Sequence, residues 1–210
     1  MGRGKPALWS ALLGLPFVGG GAWLYLSQQQ YPPVFGVPFV AFGLFIITVG
    51  AYVHIVSPSK LRTGEGEEIL MTRHPTQRVA TVKISIGLPL LLLTVILLYF
   101  TRIPYVYPTL TFAVGLYTFS KGLYVYWANS LTTYYMTNQR VVKEYRFLSL
   151  VRREVPHRKV RGVQERQSLI ETLVGLGNVI VASGGGRSLE VRMRNMERSE
   201  EFADAVRDLI

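Results

Sequence analysis

The chain has 210 residues, 49% of them hydrophobic and only 17% charged, with a formal net charge of +10. It contains no cysteine, which excludes disulfides, thiolate nucleophiles and cysteine-ligated metal sites together. The length admits one large domain or two small ones, but the apolar residues gather into long runs rather than dispersing as in a globular core.

Residues 7–26, 34–56 and 84–100 carry no Lys, Arg, Asp or Glu, and residues 104–128 carry only Lys121. Each run matches the roughly 17–25 residues that a helix needs to cross a bilayer. A lone apolar segment in lipid must satisfy its own backbone, so each is predicted as a transmembrane helix, with Pro16, Pro38, Pro89 and Pro108 as kinks. Arg3 and Lys5 ahead of the first run, with the small residues 19–22 inside it, also fit a secretory signal. Against that reading, apolar character continues through Trp23, Leu24, Tyr25 and Leu26 with no clean cleavage site.

Loop charge sets the expected orientation. Residues 27–33 have no Lys or Arg, whereas residues 57–83 hold Lys60, Arg62, Arg73, Arg78 and Lys83. By the positive-inside bias this predicts a multi-pass protein of the cell membrane with both termini cytoplasmic. Trp9, Trp23, Tyr31, Tyr99, Tyr105, Tyr124, Tyr126 and Trp127 lie near run ends, where interfacial aromatics belong. Lys121 and His54 lie close enough to run ends to reach headgroups by snorkelling. Gly36, Gly43 and Gly50 recur every seven residues, a helix-packing stripe that admits a close neighbour. The predicted organisation is a helix pair over 1–57, a cytoplasmic loop over 58–83, a second pair over 84–128 and a soluble domain over 129–210.

The tail reads as β-structure. Strands are predicted over 132–137 and 140–147 around a turn at Asn138 and Gln139, then over 151–155, ended by Pro156. Residues 159–164 form the next strand, with a bulge near Gly162. A short helix capped by Ser168 covers 168–174. Strands over 178–183 and 189–193 follow, joined by Gly184, Gly185 and Gly186; in the second, Leu189, Val191 and Met193 alternate with charges. Ser199 caps a final helix with Phe202, Ala205, Val206 and Leu209 on one stripe. Upstream, residues 68–72 are predicted as one more strand, with Glu67 and Glu68 at its solvated start. If that strand joins the tail's sheet, the second helix pair is an insertion within one discontinuous domain of seven strands.

The turn T-N-x-R at residues 137–140, the pattern S-L-x-x-x-L-x-G-x-G at 168–177 and Glu67-Glu68-Ile69-Leu70 ahead of a helix pair resemble the bacterial and archaeal pleckstrin-homology-like membrane proteins. The resemblance spans roughly residues 65–210. It implies a partly open β-barrel or sandwich closed by a C-terminal helix and joined to the membrane, with no defined activity. Related eukaryotic domains often hold headgroups with basic residues between the first two strands. Here that connection is the helix pair, so a stereospecific phosphoinositide site does not carry over.

Catalysis is not expected. His54, His74 and His157 lack ligand spacing, so no metal is predicted. Ser183 lacks a nucleophile-elbow frame, and the glycine-rich stretches at 183–187 and 63–68 lack the ending of a phosphate loop, so no cofactor is predicted.

What stands out is a basic stretch: Arg140, Lys143, Arg146, Arg152, Arg153, Arg158, Lys159, Arg161 and Arg166, against Glu144, Glu154 and Glu165. Nucleic acid would call for interleaved stacking aromatics and a larger charge excess, and is not expected. A surface for anionic lipid headgroups fits better, with a protein partner or further copies of the chain as other occupants. Residues Phe147, Leu148 and Leu150 form an apolar tip between Arg146 and Arg152. Packing as core beneath the final helix is the plainer reading, and insertion at the membrane interface is the other. The function expected is a non-catalytic scaffold or adaptor. The alternative is a small transporter or channel subunit regulated by its soluble domain, for which Lys121, His54 and a few hydroxyls supply the polar groups.

Overall fold

The computed structural model describes residues 5–27, 32–56, 61–167, 172, 175–184 and 190–210. It divides into two units, Met1–Ser59 and Lys60–Ile210.

The first unit is a helical hairpin. Helix α1 spans Pro6–Leu26, and α2 spans Gly36–Ile55 after a short 3-10 turn at Pro33–Phe35. The helices meet through small residues, so closely that each backbone touches the other. A Cβ on Gly43 would lie 2.7 Å from the Gly14 carbonyl oxygen, one on Gly36 2.2 Å from that of Gly21, and one on Gly50 2.0 Å from Ser10 Cβ.

The second unit runs β1 (Ile69–Arg73), α3 (Arg78–Phe100), α4 (Val106–Ser130), β2 (Thr132–Thr137), β3 (Arg140–Arg146), β4 (Leu150–Pro156), β5 (Val160–Arg166), β6 (Leu176–Ser183), β7 (Glu190–Glu197) and α5 (Ser199–Arg207). Strands β1-β2-β3-β4 form one antiparallel sheet and β5-β6-β7 a second. Their facing sides bury Tyr134, Val141, Val155, Val179, Val181, Val191 and Met193, and α5 closes the core with Phe202, Ala203 and Val206. Because β1 pairs with β2, the α3–α4 hairpin stands inside the β1–β2 connection and the domain is discontinuous, as the sequence suggested. The bulge anticipated at Gly162 is present as a register shift between Val160 and Gly162.

The helical hairpin is fastened to the sheets at one end. Only Leu131 separates α4 from β2. Asn129 Nδ2 donates to the Thr76 carbonyl at 2.9 Å, the Thr76 N–H donates to the Asn195 carbonyl at 2.8 Å, and Gln77 Nε2 donates to Ser130 Oγ at 3.0 Å. Along the hairpin, Gly87 lies against the Phe119 backbone and Gly122 against Ile84. This seam was not read from the sequence, although Gly115 and Gly122 repeat the seven-residue spacing.

Several expectations are met only in part or are corrected. Of the four predicted spans, three are long and apolar enough to cross a membrane: Pro6–Leu26, Pro33–Ile55 and Arg78–Phe100. Helix α4 has the length, but its threonines, tyrosines and Lys121 dilute its apolar character. Pro16 and Pro89 lie inside helices, whereas Pro38 and Pro108 occupy first turns, where their missing N–H has no intrahelical partner to lose. Ser199 does not cap α5; its hydroxyl is turned to Glu165. Glu67 is buried rather than solvated. The tip is not core: Leu148 is 84% exposed and Leu150 50%. The first domain strand begins and ends one residue later than predicted. The helix predicted over 168–174 falls on residues that, Thr172 apart, lie outside those described, as do Gly185, Gly186 and Leu189.

Candidate functional site

The β3–β4 hairpin carries most of the basic stretch, and strand pairing assigns each residue a level along the sheet. Strand β2 leaves α4 at Thr132 and reaches the far end at Thr137, five residues or about 17 Å away. Strand β3 returns, so that the Arg146 N–H donates to the Leu131 carbonyl at 3.1 Å. The tip of residues 147–149 therefore lies at the helix-proximal end of the sheet, beside the end of α4.

The basic residues separate into two groups. Lys143, Arg146, Arg152 and Arg153 occupy the helix-proximal half. Arg140 is at the far end, opposite Pro156, and Arg158, Lys159 and Arg161 follow Pro156 in the 3-10 turn at His157–Lys159 and the start of β5. The sequence stretch thus does not form one surface.

Two of the arginines are taken up by buried carboxylates. Arg140 Nε and Nη2 donate to Glu67 Oε1 and Oε2 at 2.8 and 2.9 Å, and its Nη1 reaches Glu154 at 2.6 Å. With Thr137 Oγ1 also donating to Glu67 Oε1 at 2.8 Å, the T-N-x-R turn clasps the loop that precedes β1. Arg140 first, with the Gly64 N–H and the Thr137 hydroxyl assisting, holds the Glu67 carboxyl down at about 2 despite its burial. Arg152 Nη2 likewise donates at 3.2 Å to Glu144, which is only 1% exposed. These pairs hold structure.

Lys143 is different. It stands opposite Tyr134 on β2 and Arg153 on β4, so the three side chains share the core-facing side of the sheet. Its Nζ donates to the Arg192 carbonyl at 2.8 Å and lies 5.7 Å from the Tyr134 ring centroid. The Tyr134 hydroxyl accepts from the Arg194 N–H at 3.0 Å, which fixes β7 at this level. Burial pushes the Lys143 amine down to about 8, with the charges of Arg194 and Arg153 adding to the shift. Sequence reasoning missed Arg194 and Tyr134, because their meeting with Lys143 depends on how the second sheet lies on the first.

The remaining candidates are dispersed. His54 is exposed on α2, His74 Nδ1 lies 3.5 Å from the Thr132 carbonyl, and buried His157 places Nε2 2.8 Å from the Thr137 carbonyl. Among the described residues, no three His, Asp or Glu side chains gather as metal ligands. Lys121 is exposed on α4, with Nζ 5.7 Å from the Tyr117 ring centroid.

A family described as "Bacterial PH domain" matches residues 78–210, well over half of the chain. The protein belongs to the bacterial PH domain family. The match begins at α3 and so takes the inserted helices as part of the family pattern, while β1, which completes the first sheet, precedes it. No curated protein and no solved structure gives a significant match. In this bacterial PH domain, the connection between the first two strands is the α3–α4 hairpin. At the helix-proximal end of β3–β4, positive charge and exposed apolar side chains coincide.

Proposed function

We propose that this protein is a non-catalytic membrane protein whose PH-like domain docks against the anionic headgroups of the membrane that anchors it. One observation carries the reading. The apolar tip, exposed at Leu148, Leu150 and Val151 with Phe147 half-buried, stands at the end of the domain from which α4 departs, with Lys143, Arg146 and Arg153 just behind it. In this reading α4 crosses the bilayer alongside α3. Its length of 25 residues suffices, and the Thr109, Thr111 and Thr118 hydroxyls return their protons to carbonyls of the preceding turn. On this reading the protein is multi-pass in the cell membrane with both termini cytoplasmic, which the Lys/Arg-rich loop at 57–83 supports.

Leu148 and Leu150 then enter the interface while the basic residues meet phosphates. At about 1 kcal/mol for each cation near an anionic leaflet, Lys143, Arg146 and Arg153 together contribute about 3 kcal/mol, roughly a hundredfold in the docking equilibrium. Arg158, Lys159 and Arg161 lie beyond the Debye length of about 8–10 Å and contribute little.

The absence of native cysteine makes Leu148→Cys a unique labelling site. An environment-sensitive fluorophore there, on the full-length chain in nanodiscs, is expected to report an apolar setting when phosphatidylglycerol is present and to return to water at 1 M salt, where screening acts over about 3 Å. Leu150→Asp is expected to abolish the apolar signal without unfolding, since Leu150 is half exposed. A label that stays in water in anionic discs at low salt overturns the proposal.

A further inference from the structure

Among the basic residues, three lie at one level of the sandwich. Lys143 and Arg153 are direct cross-strand partners, and the Arg194 backbone is tied to Tyr134, the other cross-strand partner of Lys143. The Lys143 ammonium is fixed in turn by the carbonyl of Arg192, two residues from Arg194. Nearby carboxylates are held elsewhere: Glu144 by Arg152, Glu154 by Arg140, Glu190 by Arg192, and Glu201 by Arg73 and Arg198. Among the described residues, none pairs with Lys143, Arg153 or Arg194. Arg153 and Arg194 are exposed on the edge strands β4 and β7, and Lys143 is half-buried. Three cations without a carboxylate partner at a partly desolvated edge suit an anion.

We propose that Lys143, Arg153 and Arg194 form a binding site for the phosphate of an anionic phospholipid headgroup. The level of the site selects a lipid over a free anion. Tyr134 and Lys143 lie two residues, roughly 7 Å, from the end of β2 that adjoins α4, on the same side of the domain as the exposed tip. A phosphodiester there accepts from the ammonium and from the arginines, whose planar fork suits phosphate oxygens. The residual positive charge repels the choline of a zwitterionic lipid and favours a headgroup without a cation. This proposal rests on the docking reading and adds to it a defined site.

The test is acylation of Lys143 by an amine-reactive acetyl ester, read by mass spectrometry on the full-length protein in nanodiscs, with exposed, distal Lys159 as internal reference. The depressed basicity of Lys143 keeps it reactive near neutral pH. Phosphatidylglycerol is expected to protect Lys143 roughly tenfold relative to pure phosphatidylcholine discs while Lys159 is unchanged. Arg153→Gln and Arg194→Gln, which leave Lys143 in place, are each expected to weaken that protection roughly fivefold. Equal labelling of Lys143 in both discs overturns the site; if the Leu148 label still reports docking, the broader reading survives without it. Equal protection by inorganic phosphate in phosphatidylcholine discs overturns the lipid assignment. Protection with a Leu148 label that remains in water overturns the docking reading and with it the lipid site that rests on it.

Discussion

Replacing Arg140 by alanine is expected to destabilise the domain by about 3–5 kcal/mol, the cost of leaving a buried carboxylate without its partner. Glu67 is the reason. Its side chain is 2% exposed, and both oxygens accept from the Arg140 guanidinium. The same arginine holds Glu154 and donates to the Arg62 carbonyl at 3.2 Å, so its loss also frees the segment packed across the outer side of the sheet, where Leu61 meets Tyr135 and Val142. Removing both charges, as in Glu67→Gln with Arg140→Met, is expected to recover most of the loss, because no bare carboxylate remains buried. The pair also has a pH signature. The Glu67 carboxyl is held at about 2 against its ordinary 4.5, so its contribution is fully present above pH 4.5 and is lost as pH falls toward 2. The difference between the parent and Arg140→Ala should therefore narrow across that window. Urea unfolding in detergent, followed by tryptophan fluorescence at several pH values, measures both effects. A cost below about 1 kcal/mol, the worth of a surface pair, would sink the argument.

How far the sequence could be read depended on the range of the signal. Alternation in β7 and the turn at Asn138 and Gln139 are local, and so were legible. The pairing of β1 with β2 across the inserted helices was anticipated from the strand-like run ahead of them. The fate of the charges was not. Glu67 beside Glu68 has the appearance of a solvent-facing pair; only a partner 73 positions away turns it inward. Arg140 and Arg152 look interchangeable with Arg153 in the sequence, but one sheet face gives each of the first two a carboxylate and the other face sets Arg153 beside Lys143. The tip misled for a simpler reason: apolar residues between strands usually seek the core, and here the hairpin ends beyond it. The spacing of Gly36, Gly43 and Gly50 pointed to a packing face, whereas the partner face of Gly14 and Gly21 was masked among neighbouring glycines of the same run.

That glycine seam supports the second large effect. Substituting isoleucine at Gly36 and Gly43 together is expected to force α1 and α2 apart at a cost of about 2–6 kcal/mol, adding two overpacked sites at about 1–3 kcal/mol each. The obstruction is backbone, which rotamer changes cannot relieve. The new Cβ atoms would meet the Gly21 carbonyl oxygen at 2.2 Å and the Gly14 carbonyl oxygen at 2.7 Å, with the Val18 nitrogen at 2.8 Å. In lipid no hydrophobic drive holds two apolar helices together, so contact at this range supplies much of their attraction. Gly19 and Gly20 provide an internal control: nothing lies within 4 Å of a Cβ on either, and alanine there should be tolerated or mildly stabilising. Phe17 and Phe42, with ring centroids 5.1 Å apart, mark where the helices meet, and the chain has no thiol of its own. A Phe17→Cys, Phe42→Cys pair should cross-link efficiently through a short bridging reagent in the parent and in Gly20→Ala, and poorly once Gly36 and Gly43 are isoleucine. Undiminished cross-linking in that variant would mean that the helices are held by contacts other than the glycine seam, and that a side chain at either position finds room the backbone geometry denies.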